Sequence, residues 1–247
     1  MTGFGKSDIG RCRLKNEDSM LVHNEAMGKL ENVYAIADGM GGHKAGNIAS
    51  TVALECFEEF IEAATGKDDE ILDILISAIN HANNIVYKMT QENEDYSNMG
   101  TTFLACSISN KNAYIAHVGD CRLYKISKNK MTQITNDHSY VAELVRAGKI
   151  TEEAAATHPE RHSITRAVGA ESTVIADGII CSVLPGDRIV MCSDGLTNMT
   201  DNATILRIAD NSSLSISERV NKLIDIANDN GGRDNITVII IDIEGVK

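Results

Sequence analysis

Two long amphipathic helical patterns stand next to each other in this chain, and a series of short β-rich runs follows them. Apolar residues recur every three or four positions over 43–64 and again over 69–92, which predicts two neighbouring helices. From 101 to 127 the pattern changes to short runs rich in β-branched and aromatic residues, separated by turn-forming residues. Because helices and strands do not alternate one for one, a doubly wound parallel sheet is disfavoured, and a layered α+β fold is predicted.

Other segments extend this pattern. Further strands are predicted at 32–37, 174–183, 187–192 and 235–243, and a third amphipathic helix at 215–228. We expect the runs within 101–127 to form consecutive antiparallel strands. The segment 137–169 has two short helical patterns, over 140–147 and 151–156, and is expected to leave the sheet as an excursion. Without a linker-like stretch in the 247 residues, we expect a single domain over 1–247.

The charge and hydropathy of the chain limit its partners. The 23 basic and 35 acidic residues give a net charge of −12, which repels the phosphate backbone of nucleic acids. The N-terminus lacks the apolar stretch of a signal peptide, and no run of 18 apolar residues is present. We therefore expect a cytoplasmic monomer that binds neither nucleic acids nor membranes.

Five short acidic motifs lie at the ends of predicted strands or in the turns next to them. They are 13–18 (RLKNED), 38–42 (DGMGG), 119–122 (GDCR), 193–195 (SDG) and 231–235 (GGRDN). A rigid sheet holds side chains at such positions while loops give access to them. Carboxylate and carbonyl oxygens are hard ligands that favour Mg²⁺ or Mn²⁺ over softer metals. Two such ions a few ångströms apart can activate a water and neutralise a phosphate group.

Each motif alone has an ordinary structural explanation. Asp-Gly is a common turn signal, and we interpret Asp177-Gly178 as a plain turn. An acidic triplet is usually a solvated loop, and a lone arginine is usually a surface charge. The joint occurrence of all five motifs favours a shared site. Two alternatives remain: a metal-binding regulatory module without catalysis, and a Mg²⁺-dependent nuclease, which the acidic charge disfavours.

The five motifs, together with Gly100-Thr101-Thr102 and the stretch 158–169 (HPERHSITRAVG), resemble the PP2C family of metal-dependent Ser/Thr protein phosphatases, especially its compact bacterial members. The resemblance runs from about Gly5 to Ile243. It implies two antiparallel β-sheets packed face to face between helix pairs, with a flap at about 137–169. It also implies hydrolysis of phosphoserine and phosphothreonine by a metal-activated water, and phosphoprotein partners that include a Ser/Thr protein kinase and its substrates.

Individual metal ligands follow from the same resemblance. Asp38 is expected to bridge two tightly bound Mn²⁺ or Mg²⁺ ions, and Gly39 to offer its backbone carbonyl oxygen to one of them. Asp194 and Asp234 are expected to be further carboxylate ligands. These four residues form the expected core of the metal site.

The resemblance also implies supporting roles. Glu17 is expected to contact metal largely through water, and Asp18 to orient the ligands. Arg13 matches a phosphate-binding arginine, whose planar guanidinium suits a phosphate bidentately. Asp120 is expected to bind a third, weaker ion together with Asp194. Asn235 is expected to support the site without touching metal.

The general acid is open at this stage. Some members of the family have a histidine at the position of Met40, where it is proposed to protonate the leaving group. His43 is a candidate for that role, and a water on the third ion is the alternative proton donor. For His43 we favour the simpler explanation that it is the polar start of its helix, and His162 in the flap is undecided.

Overall fold

The computed structural model describes residues 1–41, 45–64 and 70–244. The strands are β1 Thr2–Asp8, β2 Asp18–His23, β3 Val33–Met40, β4 Gly100–Thr101, β5 Phe103–Ser109, β6 Asn112–Val118, β7 Arg122–Ser127, β8 Lys130–Gln133, β9 Asp177–Ser182, β10 Arg188–Cys192 and β11 Ile236–Asp242. The helices are α1 Gly46–Ala63, α2 Ile71–Glu92, α3 Tyr140–Arg146, α4 Glu152–Ala156, α5 Asp194–Thr197, α6 Asn202–Ala209 and α7 Ile216–Asp229. A short 3-10 helix lies at Glu94–Tyr96.

Two antiparallel sheets pack face to face between layers of helices. One sheet has the strand order β1-β11-β10-β7-β8, and the other has the order β2-β3-β5-β6-β9, with β4 added beside β3. Helices α1 and α2 pack on the second sheet, and α6 and α7 pack on the first. The predicted α+β class, with a sandwich of two antiparallel sheets flanked by helix pairs, is confirmed. None of the helices in the described ranges is long and apolar enough to cross a membrane.

The alternation of side chains along the inner strands explains the four layers. In β3, Val33 and Ala35 join the apolar cluster beneath α1 and α2, whereas Tyr34 and Ile36 point into the cluster between the sheets. Strand β11 alternates in the same way between the inter-sheet cluster and the cluster beneath α7. Strands buried on both faces need apolar residues at successive positions, as in the ITVIII run of β11.

Most of the predicted elements are present. The helices predicted over 69–92 and 215–228 are α2 and α7, and the helix predicted over 43–64 is seen from Gly46 onward. The predicted strands correspond to β3, β5, β6, β7, β9, β10 and β11, and the two helices predicted in the excursion are α3 and α4. Strands β1, β2 and β8, the short helices α5 and α6 and the 3-10 helix were not predicted.

Two sequence predictions are wrong. Strands β6 and β7 are not neighbours: β6 pairs with β9, while β7 pairs with β10 and β8 in the other sheet. The chain changes sheets at Gly119, whose φ of +106° favours glycine, and where a Cβ would lie 2.6 Å from Thr102. Asp177-Gly178 is not a turn but the start of β9, where Asp177 pairs with His117. Sheet pairing outweighs the local turn preference here.

We call residues 137–169 the flap segment. It contains α3 and α4, and its end is fixed to the sheet by reciprocal backbone hydrogen bonds between Val168 and Thr101. The buried Asn83 of α2 adds a second attachment. Its Oδ1 accepts a hydrogen bond from the Gly169 amide at 2.8 Å, and its Nδ2 donates to the Glu171 carbonyl at 3.1 Å. One side chain thus holds the returning chain against α2.

We expect the change Asn83→Ala to lower the free energy of unfolding by about 1–3 kcal/mol, because it leaves the buried Gly169 amide and the Glu171 carbonyl without this partner. The matched control is Asn84→Ala, one position along the same helix, where the side chain is exposed. This control should be neutral or slightly stabilising, since alanine is the better helix former. Urea denaturation measures both, and equal effects of the two changes would contradict the role of Asn83.

Candidate active site

Two aspartates of the second sheet lie side by side at one end of the sandwich. Asp18 at the start of β2 is directly opposite Asp38 near the end of β3. The backbone of Asp38 is held by Thr102: the Asp38 amide donates to the Thr102 hydroxyl at 2.9 Å, and the Asp38 carbonyl accepts from the Thr102 amide at 2.9 Å. The pairing of β2 with β3 therefore fixes the backbone positions of Asp18 and Asp38, from which both carboxylates extend.

The other sheet brings Asp194 and Asp234 to the same end. One residue, Ser193, separates Asp194 from the end of β10, and one residue, Asn235, separates Asp234 from the start of β11. The hydroxyls of Ser193 and Thr237 donate to Oδ2 of Asp18, at 2.8 and 2.6 Å. These hydrogen bonds connect the two sheets directly at the site. The other oxygen of Asp18, Oδ1, is buried and has no hydrogen-bond partner among the described residues.

Electrostatics show that these acids lie close together. Burial, together with the charges of Asp194 and Asp234, raises the pKa of Asp18 to about 6, although two hydroxyl hydrogen bonds act to lower it. The pKa of Asp38 is well above its ordinary value because of burial and then the charges of Asp18, Asp194, Asp120 and Asp234. Acids from both sheets therefore act on one another through a poorly solvated region.

Asp120 belongs to the same region. It follows Gly119 in the turn that takes the chain from β6 to β7. Burial raises its pKa to about 7, and the negative charges of Asp194 and Asp137 contribute in the same direction. The pKa of Asp194 is also raised, by burial and by Asp234. The turn between the sheets thus places a further carboxyl beside the others.

Asn235 holds the loop between β1 and β2 in place. Its Oδ1 accepts from the Glu17 amide at 2.8 Å, and its Nδ2 donates to the carbonyls of Ile9 and Lys15 at 2.9 and 3.0 Å. The same loop carries Arg13, whose exposed guanidinium donates to Oδ2 of Asp234 at 2.7 Å. A positive group thus stands at the open edge of the acidic cluster.

The start of α1 approaches the end of β3 closely. The Gly39 amide donates to the Glu17 carbonyl at 3.1 Å, and a Cβ at Gly39 would lie 2.1 Å from the carbonyl oxygen of Gly46. A Cβ at Gly46 would in turn lie 2.7 Å from Oε1 of Glu17. Only glycines allow this approach, which places the Glu17 carboxylate beside the β3 end.

The remaining predicted residues are placed less directly. His43 lies outside the described residues. His162 of the flap segment is exposed. Its charge acts to lower the pKa of Asp194, against the larger effect of burial, so His162 lies on the Asp194 side of the acidic cluster. Ser193 and Thr102 belong to motifs singled out in the sequence, but neither hydroxyl was given a role there, and Thr237 was not identified. Hydroxyl residues are common in and beside strands, and nothing in the sequence indicates which of them donate to or hold an aspartate.

The residues fit a divalent metal ion by their chemistry. Burial and then the charges of nearby acids raise the pKa of four buried or partly buried aspartates, and a bound cation would favour their ionised forms. The unpaired Oδ1 of Asp18 is an oxygen that still lacks a partner. In the described part of the chain, no three acidic, histidine or cysteine side chains already converge on one point. Asp234 accepts a hydrogen bond from Arg13, and Asp194 accepts one from Asn198. Binding an ion would replace these hydrogen bonds with contacts to the metal.

Comparisons with known proteins agree with this geometry. Residues 5–235 match the family described as Protein phosphatase 2C. The chain is 40% identical over 237 residues to a putative protein phosphatase 2C-type from Streptococcus pyogenes, covering 96% of this chain and 95% of the relative. It superposes on the structure of the S. agalactiae serine/threonine phosphatase with a TM-score of 0.91 and 36% identity, over 98% and 99% of the two chains.

A further solved structure is the catalytic domain of the serine threonine protein phosphatase PstP in complex with two manganese ions. It is 32% identical to this chain with a TM-score of 0.85, over 99% of this chain and 98% of the other. The fold and the acidic cluster thus define a phosphoric monoester hydrolase that depends on metal ions. The chain belongs to the protein phosphatase 2C family and is a metal-dependent serine/threonine protein phosphatase.

The raised pKa values predict the response of the metal-free protein to pH. Asp18 and Asp120 bind protons more tightly in the folded chain than in the unfolded chain, where the pKa is near 3.8. Their contribution to stability is full below about pH 4 and is lost as pH rises through about 6 and 7. We expect the urea midpoint of EDTA-treated protein to fall over this interval. Carboxyls with lowered pKa, such as Asp8 and Asp187, act below 3.8 and do not oppose the trend. The buried His117, whose pKa falls from 6.5 to about 4, opposes it between these two pH values, so the fall is clearest above pH 6.5, where Asp120 loses its proton.

Two controls isolate the cluster. Asp18→Asn removes one titrating group and should reduce the fall in the urea midpoint. Saturating Mn²⁺ should remove most of the fall, because a bound ion favours the ionised carboxylates. A variant with the same pH dependence as the unmodified protein would show that Asp18 does not titrate in this range.

Proposed function

We propose that Asp38 holds two Mn²⁺ or Mg²⁺ ions between the sheets, with the Gly39 carbonyl, Asp194 and Asp234 as their other protein ligands. The observation that carries this proposal is that acids from both sheets, Asp18 from one and Asp194 and Asp234 from the other, act on the buried Asp38 carboxyl and raise its pKa, after the larger effect of burial. The two manganese ions in the PstP complex support the number of ions.

The ions supply activation of a water and neutralisation of the phosphate charge. The protein residues do the remaining work. Arg13 binds the phosphate of a phosphoserine or phosphothreonine at the edge of the cluster, after exchanging its contact with Asp234. The hydroxyls of Ser193 and Thr237 hold the Asp18 carboxyl, which would orient the ligand set, and Glu17 would accept hydrogen bonds from waters on the ions. Asn235 keeps the loop with Arg13 and Glu17 in register.

A third, weaker ion is proposed at Asp120, with Asp194 as the shared carboxylate. The support is the position of Asp120 in the buried turn and the effect of Asp194 on its pKa. The proton donor to the leaving alkoxide remains a prediction, with His43 and a water on the third ion as candidates. His162 is a further candidate, since its charge acts on Asp194.

The substrates are phosphoproteins, and we propose that they include a Ser/Thr protein kinase and its targets. The open position of Arg13 suits a phosphorylated side chain presented by a protein. We further propose that residues 1–247 act as one domain, with the flap segment beside the site, and that the protein works as a monomer in the cytoplasm.

Asp38→Asn should abolish nearly all phosphatase activity, because it removes charge from both tight ion sites. We expect a loss larger than the 10–100-fold, in rough terms, that follows from changing an outer partner of a metal ligand. The measurement is hydrolysis of a phosphothreonine peptide and of p-nitrophenyl phosphate with Mn²⁺ and then with EDTA. Asp73→Asn, which makes the same change at an exposed position of α2, should retain full activity. Normal turnover by Asp38→Asn would rule out the proposed bridge.

A further inference from the structure

A group of polar side chains lies at the base of the flap segment, outside the acidic cluster. It consists of His117 in β6, His138 at the start of the flap segment, Arg166 near its end and Asp177 in β9. The metal and phosphate chemistry proposed above uses none of the four. His138 is buried, with 2% of its surface exposed, and it contacts all of the segments that meet there.

His138 is hydrogen bonded twice to the residue that precedes Asp120. The His138 amide donates to the Gly119 carbonyl at 2.8 Å, and the Gly119 amide donates to Nδ1 of the His138 ring at 3.0 Å. The second bond depends on the side chain. It fixes a glycine at φ +106°, and so it fixes the direction in which the Asp120 carboxyl leaves the turn.

The other side of the ring is attached to β9 and to the returning end of the flap segment. Nε2 of His138 lies 3.1 Å from Oδ2 of Asp177, and Arg166 binds Oδ1 of the same carboxylate at 2.8 Å. The guanidinium also lies 3.3 Å from Nε2, but it can only donate. Since Nδ1 accepts from Gly119, the neutral ring carries its proton on Nε2 and donates it to Asp177. The Thr165 amide donates to the His138 carbonyl at 2.8 Å.

His117 packs its imidazole ring against one face of the His138 ring. It is completely buried, and its ring centroid lies 4.8 Å from that of His138. Burial lowers the pKa of His117 to about 4, so the two rings pack as neutral groups. The orientation of the His138 ring is thus determined by packing on one side and by hydrogen bonds at both nitrogens.

We propose that His138 is a positioning residue that sets the Asp120 turn for the third ion and couples that turn to the flap segment. This inference rests on the proposed role of Asp120. Through one ring, movement of the flap segment changes the position of the carboxyl, and occupation of the third site restrains the flap segment. The bond from the Gly119 amide to Nδ1 is the element that transmits this effect.

Two substitutions separate the two ring nitrogens. His138→Asn places an amide oxygen near the position of Nδ1, so it keeps an acceptor for Gly119 and loses the contact with Asp177. His138→Gln places an amide nitrogen near the position of Nε2, so it keeps a donor for Asp177 and loses the acceptor for Gly119. Each variant loses one buried hydrogen bond, and we expect similar decreases in their urea midpoints.

Binding of Mn²⁺ is counted by the electron paramagnetic resonance signal of the free ion, with the unmodified protein and Asp120→Ala as references. We expect a third ion in the unmodified protein and its loss in Asp120→Ala. His138→Gln should weaken the third site by about tenfold or more, while His138→Asn stays within about twofold and the two tight ions are unchanged in both. Equal weakening by both variants, or no effect of His138→Gln, would overturn the proposal.

The outcomes separate this inference from the function of the enzyme. If the unmodified protein and Asp120→Ala both bind only two ions, the third site and its coupling are overturned, whereas the two-ion phosphatase stands. Hydrogen exchange at the Gly119 amide needs no variant. We expect this amide to exchange only on global unfolding, and rapid exchange under native conditions would refute the bond to His138.

Discussion

Several negative charges that are withdrawn from water at one end of the sandwich are the constraint on which the rest of this structure depends. Burial and then the charges of neighbouring acids raise the pKa of Asp38, Asp18, Asp194 and Asp120. Such an arrangement costs stability unless a cation binds. The protein therefore contributes rigidity: the two hydroxyls that donate to Asp18 hold the sheets at a fixed distance.

The acidic residues of the site lie at or next to the ends of strands, and in the turn where the chain crosses from one sheet to the other. Strand ends supply Asp18, Asp38 and Asp194, and the crossing from β6 to β7 supplies Asp120. These positions combine a rigid backbone with access from solvent. His138 attaches the flap segment to the crossing from β6 to β7, so the position of the flap segment is linked to that of the Asp120 carboxyl.

Sequence periodicity was sufficient for the long elements and insufficient for the short or glycine-rich ones. The apolar repeats of α2 and α7 are long and regular, so both helices were predicted. Strand β1 reads TGFGKSD, with little apolar content, and it exists because it pairs along the whole of its length with β11. The acidic residues were identified through their motifs. The three bonds of Asn235 and the contacts of His138 were not, because common residue types gain these roles only through tertiary contacts.

The central claim is that acids from both sheets share a pair of ions through Asp38. The most direct test is a crystal structure of Mn²⁺-loaded protein with anomalous diffraction data collected at the manganese edge. We expect two strong peaks on either side of the Asp38 carboxylate, with the Gly39 carbonyl, Asp194 and Asp234 among their ligands at about 2.0–2.3 Å. Peaks that avoid Asp38, or a single peak bound by one sheet alone, would contradict the account.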